Sequence, residues 1–191
     1  REKFPLTDGF VCRTLHTVGW GESMIEEKVG RPLQTLIDQG LELGYCARSG
    51  EVDVRLGARG PNAERLVSES GQLVRAAVGK GVFSEDAETL ESVVVRALMA
   101  RQETVALAES CTGGYVAHRL TNVPGASTVF RCAWVTYSND SKIGLLGVRS
   151  ETLAEHGAVS DAVAREMAEG ARARSGAEYG VAVTGIAGPS G

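Results

Sequence analysis

The chain has 191 residues, 43% of them apolar, and its 20 basic and 24 acidic residues give a formal net charge of −4. That length supports one large domain or two small ones with a real core, and the mixed, slightly acidic charge creates no field that favours nucleic acid or an anionic membrane. Its four cysteines (Cys12, Cys46, Cys111 and Cys132) are scattered without C-x-x-C spacing, no apolar run reaches the roughly 20 residues of a bilayer span, and no signal-peptide stretch opens it, so a cytoplasmic protein with reduced thiols, no metal or other cofactor and no membrane partner is expected.

Residues 10–15 have the β-branched and apolar character of a strand. A Gly19-Trp20-Gly21-Glu22-Ser23 turn follows, with Ser23 and Glu26 at capping-box spacing for a helix over about 24–38. Pro32 argues for a break there, giving two short helices. Residues 41–47 and 52–57 alternate like half-exposed strands across a turn at Arg48, Ser49, Gly50 and Glu51, which makes a hairpin. Between 62 and 78 the apolar residues Ala63, Leu66, Val67, Leu73, Val74 and Ala77 share one helical face before Gly79-Lys80-Gly81 stops the run, and Val82-Phe83 is a last extended piece. The order β-α-α-β-β-α-β describes a small two-layer α/β module over residues 1–83.

A second domain, 84–191, starts with an acidic stretch (Ser84, Glu85, Asp86, Ala87, Glu88) leading into an amphipathic helix over 90–100. Residues 105–108 read as a buried strand that breaks into Glu109-Ser110-Cys111-Thr112-Gly113-Gly114 and restarts as a helix at Tyr115. A second strand over 130–136 ends in Tyr137-Ser138-Asn139-Asp140, a short helix carries Lys142 to Leu146, and Ser160 caps a long helix over 161–175. A third strand over 179–184 ends in a glycine-rich loop, 185–191. Strands alternating with helices imply a layered α/β/α domain with a mainly parallel sheet, whose polar turns gather at the strand ends.

If those three turns converge, Ser110 is a candidate nucleophile, Lys142 a candidate base once burial lowers its pKa, and Tyr137 a group to relay a proton or orient either. The three histidines have no evident placement for a Ser-His-Asp arrangement. Backbone amides around Thr112, Gly113 and Gly114 suit an oxyanion, and the 185–191 loop has the small residues that approach a phosphate or ribose. Plainer readings stand beside these. Ser110 serves as a helix cap, Cys111 as a buried thiol or a rival nucleophile, Lys142 as a solvated cation, and Glu109 as a surface carboxylate or a buried acceptor that holds the turn.

The blocks Ala108-Glu109-Ser110-Cys111-Thr112-Gly113-Gly114, Val135 through Lys142 with Leu146-Gly147-Val148, His156-Gly157-Ala158-Val159-Ser160 and Val183-Thr184-Gly185-Ile186-Ala187-Gly188-Pro189 resemble the CinA family of competence/damage-inducible proteins. The likeness covers roughly 85–191. Arg13-Thr14-Leu15 with Gly19 to Ser23 resembles the family's KH-like middle module. The resemblance implies a nicotinamide-nucleotide amidase, hydrolysing nicotinamide mononucleotide to nicotinic acid mononucleotide and ammonia in pyridine nucleotide salvage. Ser110, Tyr137 and Lys142 would be catalytic, and Glu109, Thr112, Gly113, Gly114, Thr184, Gly185 and Gly188 would bind substrate. The family's C-terminal domain continues past the Gly-Pro loop, so the second domain is expected to be truncated at Gly191, with exposed sheet edges that favour a homo-oligomer. The molybdopterin-binding-like domain of larger members has no counterpart in these residues. RNA binding by the KH-like module is not expected, because Gly19-Trp20-Gly21-Glu22 has the wrong glycine spacing and an acidic neighbour. The alternative is a non-catalytic nucleotide-binding or docking unit.

Overall fold

A computed structural model describes residues 9–48, 50–85 and 88–188. The expected features at Ser49, at Asp86 and Ala87, and at Pro189, Ser190 and Gly191 lie outside the described residues. The chain divides into two compact units, Arg1–Leu90 and Glu91–Gly191.

The first unit runs β1 (Phe10–Val18), α1 (Glu22–Ile37), β2 (Glu42–Arg48), β3 (Glu51–Arg59), α2 (Ala63–Val78) and β4 (Val82–Ser84). Its sheet is antiparallel with order β2-β3-β1-β4. Strand alternation sends Leu15, Val52, Val54, Leu56 and Ala58 to one face, where they meet Ile25, Val29, Leu33 and Leu36 of α1 and Leu66, Val67 and Val74 of α2. On the opposite face Asp53 is buried between His16, with Nδ1 and Oδ1 2.6 Å apart, and Arg48.

One expectation fails here. α1 is a single helix that runs through Pro32, and its N-cap is Gly21, with Ser23 inside the first turn and no side-chain cap. Proline costs roughly 3 kcal/mol inside a helix. The stripe Ile25, Val29, Leu33 and Leu36 spans it at helical spacing, and burying each of those side chains returns about 1.5–3 kcal/mol. Burial on both sides of Pro32 therefore holds the two halves in one rod.

The second unit contains α3 (Leu90–Arg101), β5 (Val105–Glu109), α4 (Tyr115–Thr121), β6 (Phe130–Val135), a helical turn α5 (Asn139–Ser141) that widens into a π-helical turn (Lys142–Leu146), α6 (Ser150–His156), α7 (Asp161–Ser175) and β7 (Tyr179–Val183). Its sheet is parallel, with order β6-β5-β7. The central strand β5 is buried throughout and divides its side chains between two cores. Ala106 and Ala108 pack with Val163, Met167 and Ala171 of α7, and with Leu146 and Val148. Val105 and Leu107 pack with Val95 and Leu98 of α3 and Leu120 of α4. The expected α/β/α layering is thus present, and α7 starts at its expected cap, where Ser160 Oγ accepts from Val163 N–H at 3.3 Å.

Candidate active site

Parallel pairing brings the three strand ends level. Glu109 at the end of β5 lies opposite Val135 of β6 and Val183 of β7. Beyond that row, Ser110 N–H donates to the Val183 carbonyl at 2.9 Å and Thr136 N–H to the Glu109 carbonyl at 2.7 Å. The turns after the three strands therefore meet, as carboxyl ends do in open parallel sheets.

The turn after β5 tightens at once. Gly113 N–H donates back to the Ser110 carbonyl at 3.1 Å and Tyr115 N–H to the Thr112 carbonyl at 3.0 Å. Gly113 and Gly114 have φ of +60° and +100°, a left-handed pair that side chains disfavour, which explains two consecutive glycines here. Glu109 continues the alternation of Val105 and Leu107, so its side chain turns toward α4. It is fully buried. One carboxylate oxygen accepts from Gly114 N–H at 3.0 Å and Val116 N–H at 3.1 Å, and the other from Ala117 N–H at 2.8 Å. Burial alone would raise its pKa, but these amides, with the Thr112 hydroxyl nearby, outweigh burial and hold it below the ordinary carboxylate value. Of the two readings left open for Glu109, the geometry gives the acceptor that holds the turn.

Lys142 is 1% exposed. Its Nζ lies 3.0 Å from Ser110 Oγ, 2.8 Å from the Thr136 carbonyl and 3.2 Å from the Tyr137 carbonyl. Burial pulls its pKa below that of an ordinary lysine, an effect partly opposed by the nearby Cys111 thiol. The partner set matters chemically. Two carbonyls can only accept, so a neutral amine spends its two N–H groups on them and is left with its lone pair toward Ser110 Oγ. The arrangement fits a base that takes the Ser110 proton.

The Lys142 backbone is held just as firmly. Ser138 Oγ caps the preceding turn, accepting from Ser141 N–H at 3.1 Å, and Lys142 N–H donates to the Ser138 carbonyl at 3.2 Å. Leu146 and Val148 anchor the far end in the α7 core. Gly170 of α7 lets the two backbones close: a Cβ there would fall on the Leu146 carbonyl.

The remaining expected residues are arranged around this pair. Tyr137 supplies its carbonyl to Lys142, while its side chain is 69% exposed and carries no hydrogen bond to Ser110 or Lys142 among the described residues. Thr184 Oγ donates to the Ala158 carbonyl at 2.8 Å, tying the loop after β7 to the segment between α6 and α7. Gly185 lies against Cys111, whose Sγ would be 3.1 Å from a Cβ at that position. Gly188 has φ of +78° further along the same loop. The Gly113 and Gly114 amides, expected to hold an oxyanion, are already engaged by Ser110 and Glu109. Reading the sequence alone missed Thr136, whose carbonyl is the shortest contact of Lys142, and Gly170. A glycine inside a helix was the available signal for the second, because it costs about 1 kcal/mol and so implies a packing reason.

A family model described as the CinA C-terminal domain matches residues 87–191, and one described as the damage-inducible protein CinA KH domain matches residues 12–84. A CinA-like protein of Akkermansia muciniphila is 46% identical over 179 residues, 94% of this chain and 42% of that protein. A putative competence-damage inducible protein of Moorella thermoacetica is 46% identical over 182 residues, 94% of this chain and 43% of that protein. This chain therefore spans less than half the length of these curated relatives. Among solved structures, a competence/damage inducible protein from Agrobacterium tumefaciens is 48% identical with a TM-score of 0.52, over 53% of this chain and 62% of that one. A competence-damaged protein superfamily member from Escherichia coli is 35% identical with a TM-score of 0.53, over 57% of this chain and 66% of that one.

Proposed function

This chain belongs to the CinA family of competence/damage-inducible proteins, and we propose that its second unit is a Ser-Lys amidohydrolase acting on nicotinamide mononucleotide. The observation that carries the proposal is the buried Lys142 amine, 3.0 Å from Ser110 Oγ and oriented by the Thr136 and Tyr137 carbonyls.

In the first half-reaction Ser110 Oγ attacks the carboxamide carbon while its proton passes to Lys142 Nζ. The tetrahedral species collapses as the Lys142 ammonium returns that proton to the departing nitrogen, releasing ammonia and leaving an ester on Ser110. Water then adds to the ester, giving a proton to Lys142. Expulsion of Ser110 Oγ, reprotonated by Lys142, yields nicotinic acid mononucleotide, whose carboxyl proton is lost to solvent. The pyridinium ring assists by withdrawing electrons from the carbonyl. Tyr137 orients the amine through its carbonyl, and its exposed phenol is assigned to the leaving amine at the rim. Thr184, Gly185 and Gly188 are assigned to the ribose phosphate. The proposal includes self-association through the sheet edges, where Val135 and Val181 are exposed; a monomer by light scattering at micromolar concentration counts against that part.

Ammonia release from nicotinamide mononucleotide is the test, on this chain and on one extended to the length of its relatives, with Ser110→Ala and Lys142→Ala alongside. Each substitution is expected to lower kcat by at least about a thousandfold. Nucleotide binding without turnover in every form, unchanged by Ser110→Ala, would favour the non-catalytic reading.

A further inference from the structure

Resting on the Ser-Lys reading, we infer that Glu109 is the positioning residue of the Ser110 turn, and that it leaves the backbone amides of Cys111 and Thr112 as the oxyanion hole. A carboxylate with no exposure is expensive to bury, and Glu109 has no cationic partner among the described residues. Its compensation is the row of amides at Gly114, Val116 and Ala117. These are the first amides of α4, which have no acceptor within the helix. The protein thus supplies its own anion to the start of α4, one residue before the nucleophile.

Two consequences follow from that occupancy. The amides beyond Ser110 divide into a used and an unused set. Gly113 N–H is taken by the Ser110 carbonyl, Gly114 N–H by Glu109 and Tyr115 N–H by the Thr112 carbonyl. Those of Cys111 and Thr112 meet no acceptor among the described residues. In strand-turn-helix nucleophile elbows, the amide of the residue after the nucleophile stabilises the oxyanion, and Cys111 holds that position. The second consequence concerns specificity. With α4 already neutralised by Glu109, the phosphate of a nucleotide gains nothing there and does not compete with the carbonyl for the turn. The anionic tail of the substrate belongs to the opposite side, toward the loop after β7.

The probe is 3-pyridineboronic acid: Ser110 Oγ adds to boron as its proton passes to Lys142 Nζ, giving an anionic tetrahedral boronate with a hydroxyl oxygen where the tetrahedral intermediate carries its oxyanion. Binding is measured on folded protein of the parent, Glu109→Gln and Glu109→Asp, with kcat, KM and the pH profile for nicotinamide mononucleotide. Glu109→Gln keeps the size but turns an amide NH2 against backbone N–H groups. It is expected to weaken boronate binding and lower kcat by about a hundredfold, with KM within about threefold and the pH midpoint unmoved, because Lys142 keeps its partners. Glu109→Asp, charged but one methylene shorter, is expected to fall between. A parent that forms the Ser110 boronate adduct while Glu109→Gln binds it equally overturns this inference alone. A parent that forms no adduct overturns the Ser-Lys reading and this inference with it.

Discussion

Gly170→Ala offers a test of how packing remote from Ser110 sets the chemistry. In an unobstructed helix interior, alanine in place of glycine stabilises by about 1 kcal/mol. At Gly170 the new Cβ would lie over the Leu146 carbonyl, 2.8 Å from its carbon and 3.1 Å from Leu146 Cα, where ordinary contact begins at 3.4 Å. Both obstacles are backbone and cannot rotate away, so α7 or the Lys142–Leu146 turn must withdraw by about half an ångström or more. Overpacking of this kind costs about 1–3 kcal/mol, leaving a net loss of up to about 2 kcal/mol after the gain in helix propensity. The same displacement carries Lys142 away from Ser110 Oγ, and a shift of that size is expected to lower kcat about 10- to 100-fold. Urea unfolding and ammonia release read the two effects. Gly144→Ala, on the same turn with nothing within 4 Å of its Cβ, is the control and retains activity. A Gly170→Ala protein as stable and as active as the parent would refute the reasoning.

Glu166 links α6 to α7, accepting from Arg149 N–H and Nε and from Thr152 Oγ, all at 2.8 Å. The Arg149 backbone bond is the largest of the influences that hold its pKa at about 2. A depressed carboxylate contributes stability above its unfolded value of 4.5 and loses it as pH falls toward about 2. Because Arg149 is 72% exposed and its charge screened, Glu166→Gln is expected to cost about 1–2 kcal/mol at pH 7. Denaturation curves of the two proteins should converge near pH 2, and a constant offset across that range would contradict the assignment. The Lys142 pKa, lowered by burial, predicts that kcat rises with pH and levels off at a midpoint below the ordinary 10.5. Lys142→Arg, which cannot deprotonate, is expected to be inactive at every pH; a midpoint at 10.5 would contradict a buried base.

Much of the site was legible because it depends on local chemistry. The apolar run at Val105, the glycine pair at Gly113 and Gly114 and the serine at Ser160 each announce a strand, a left-handed turn or a cap within a few residues. What was not legible depends on contacts distant in sequence. Pro32 predicts a break, but the stripe it interrupts is buried on both sides. Glu109 was open to two readings until the α4 amides came into place around it. The same holds for Lys142, whose three polar partners come from two different strand ends, and for the Gly113 and Gly114 amides, which the turn itself consumes.

The most direct measurement is to mix the protein with nicotinamide mononucleotide, quench in acid within the first turnovers and locate the adduct by peptide mass mapping. The account predicts a nicotinoyl nucleotide ester on Ser110, absent in Lys142→Ala. An adduct on Cys111, or turnover with no adduct on Ser110, would contradict it.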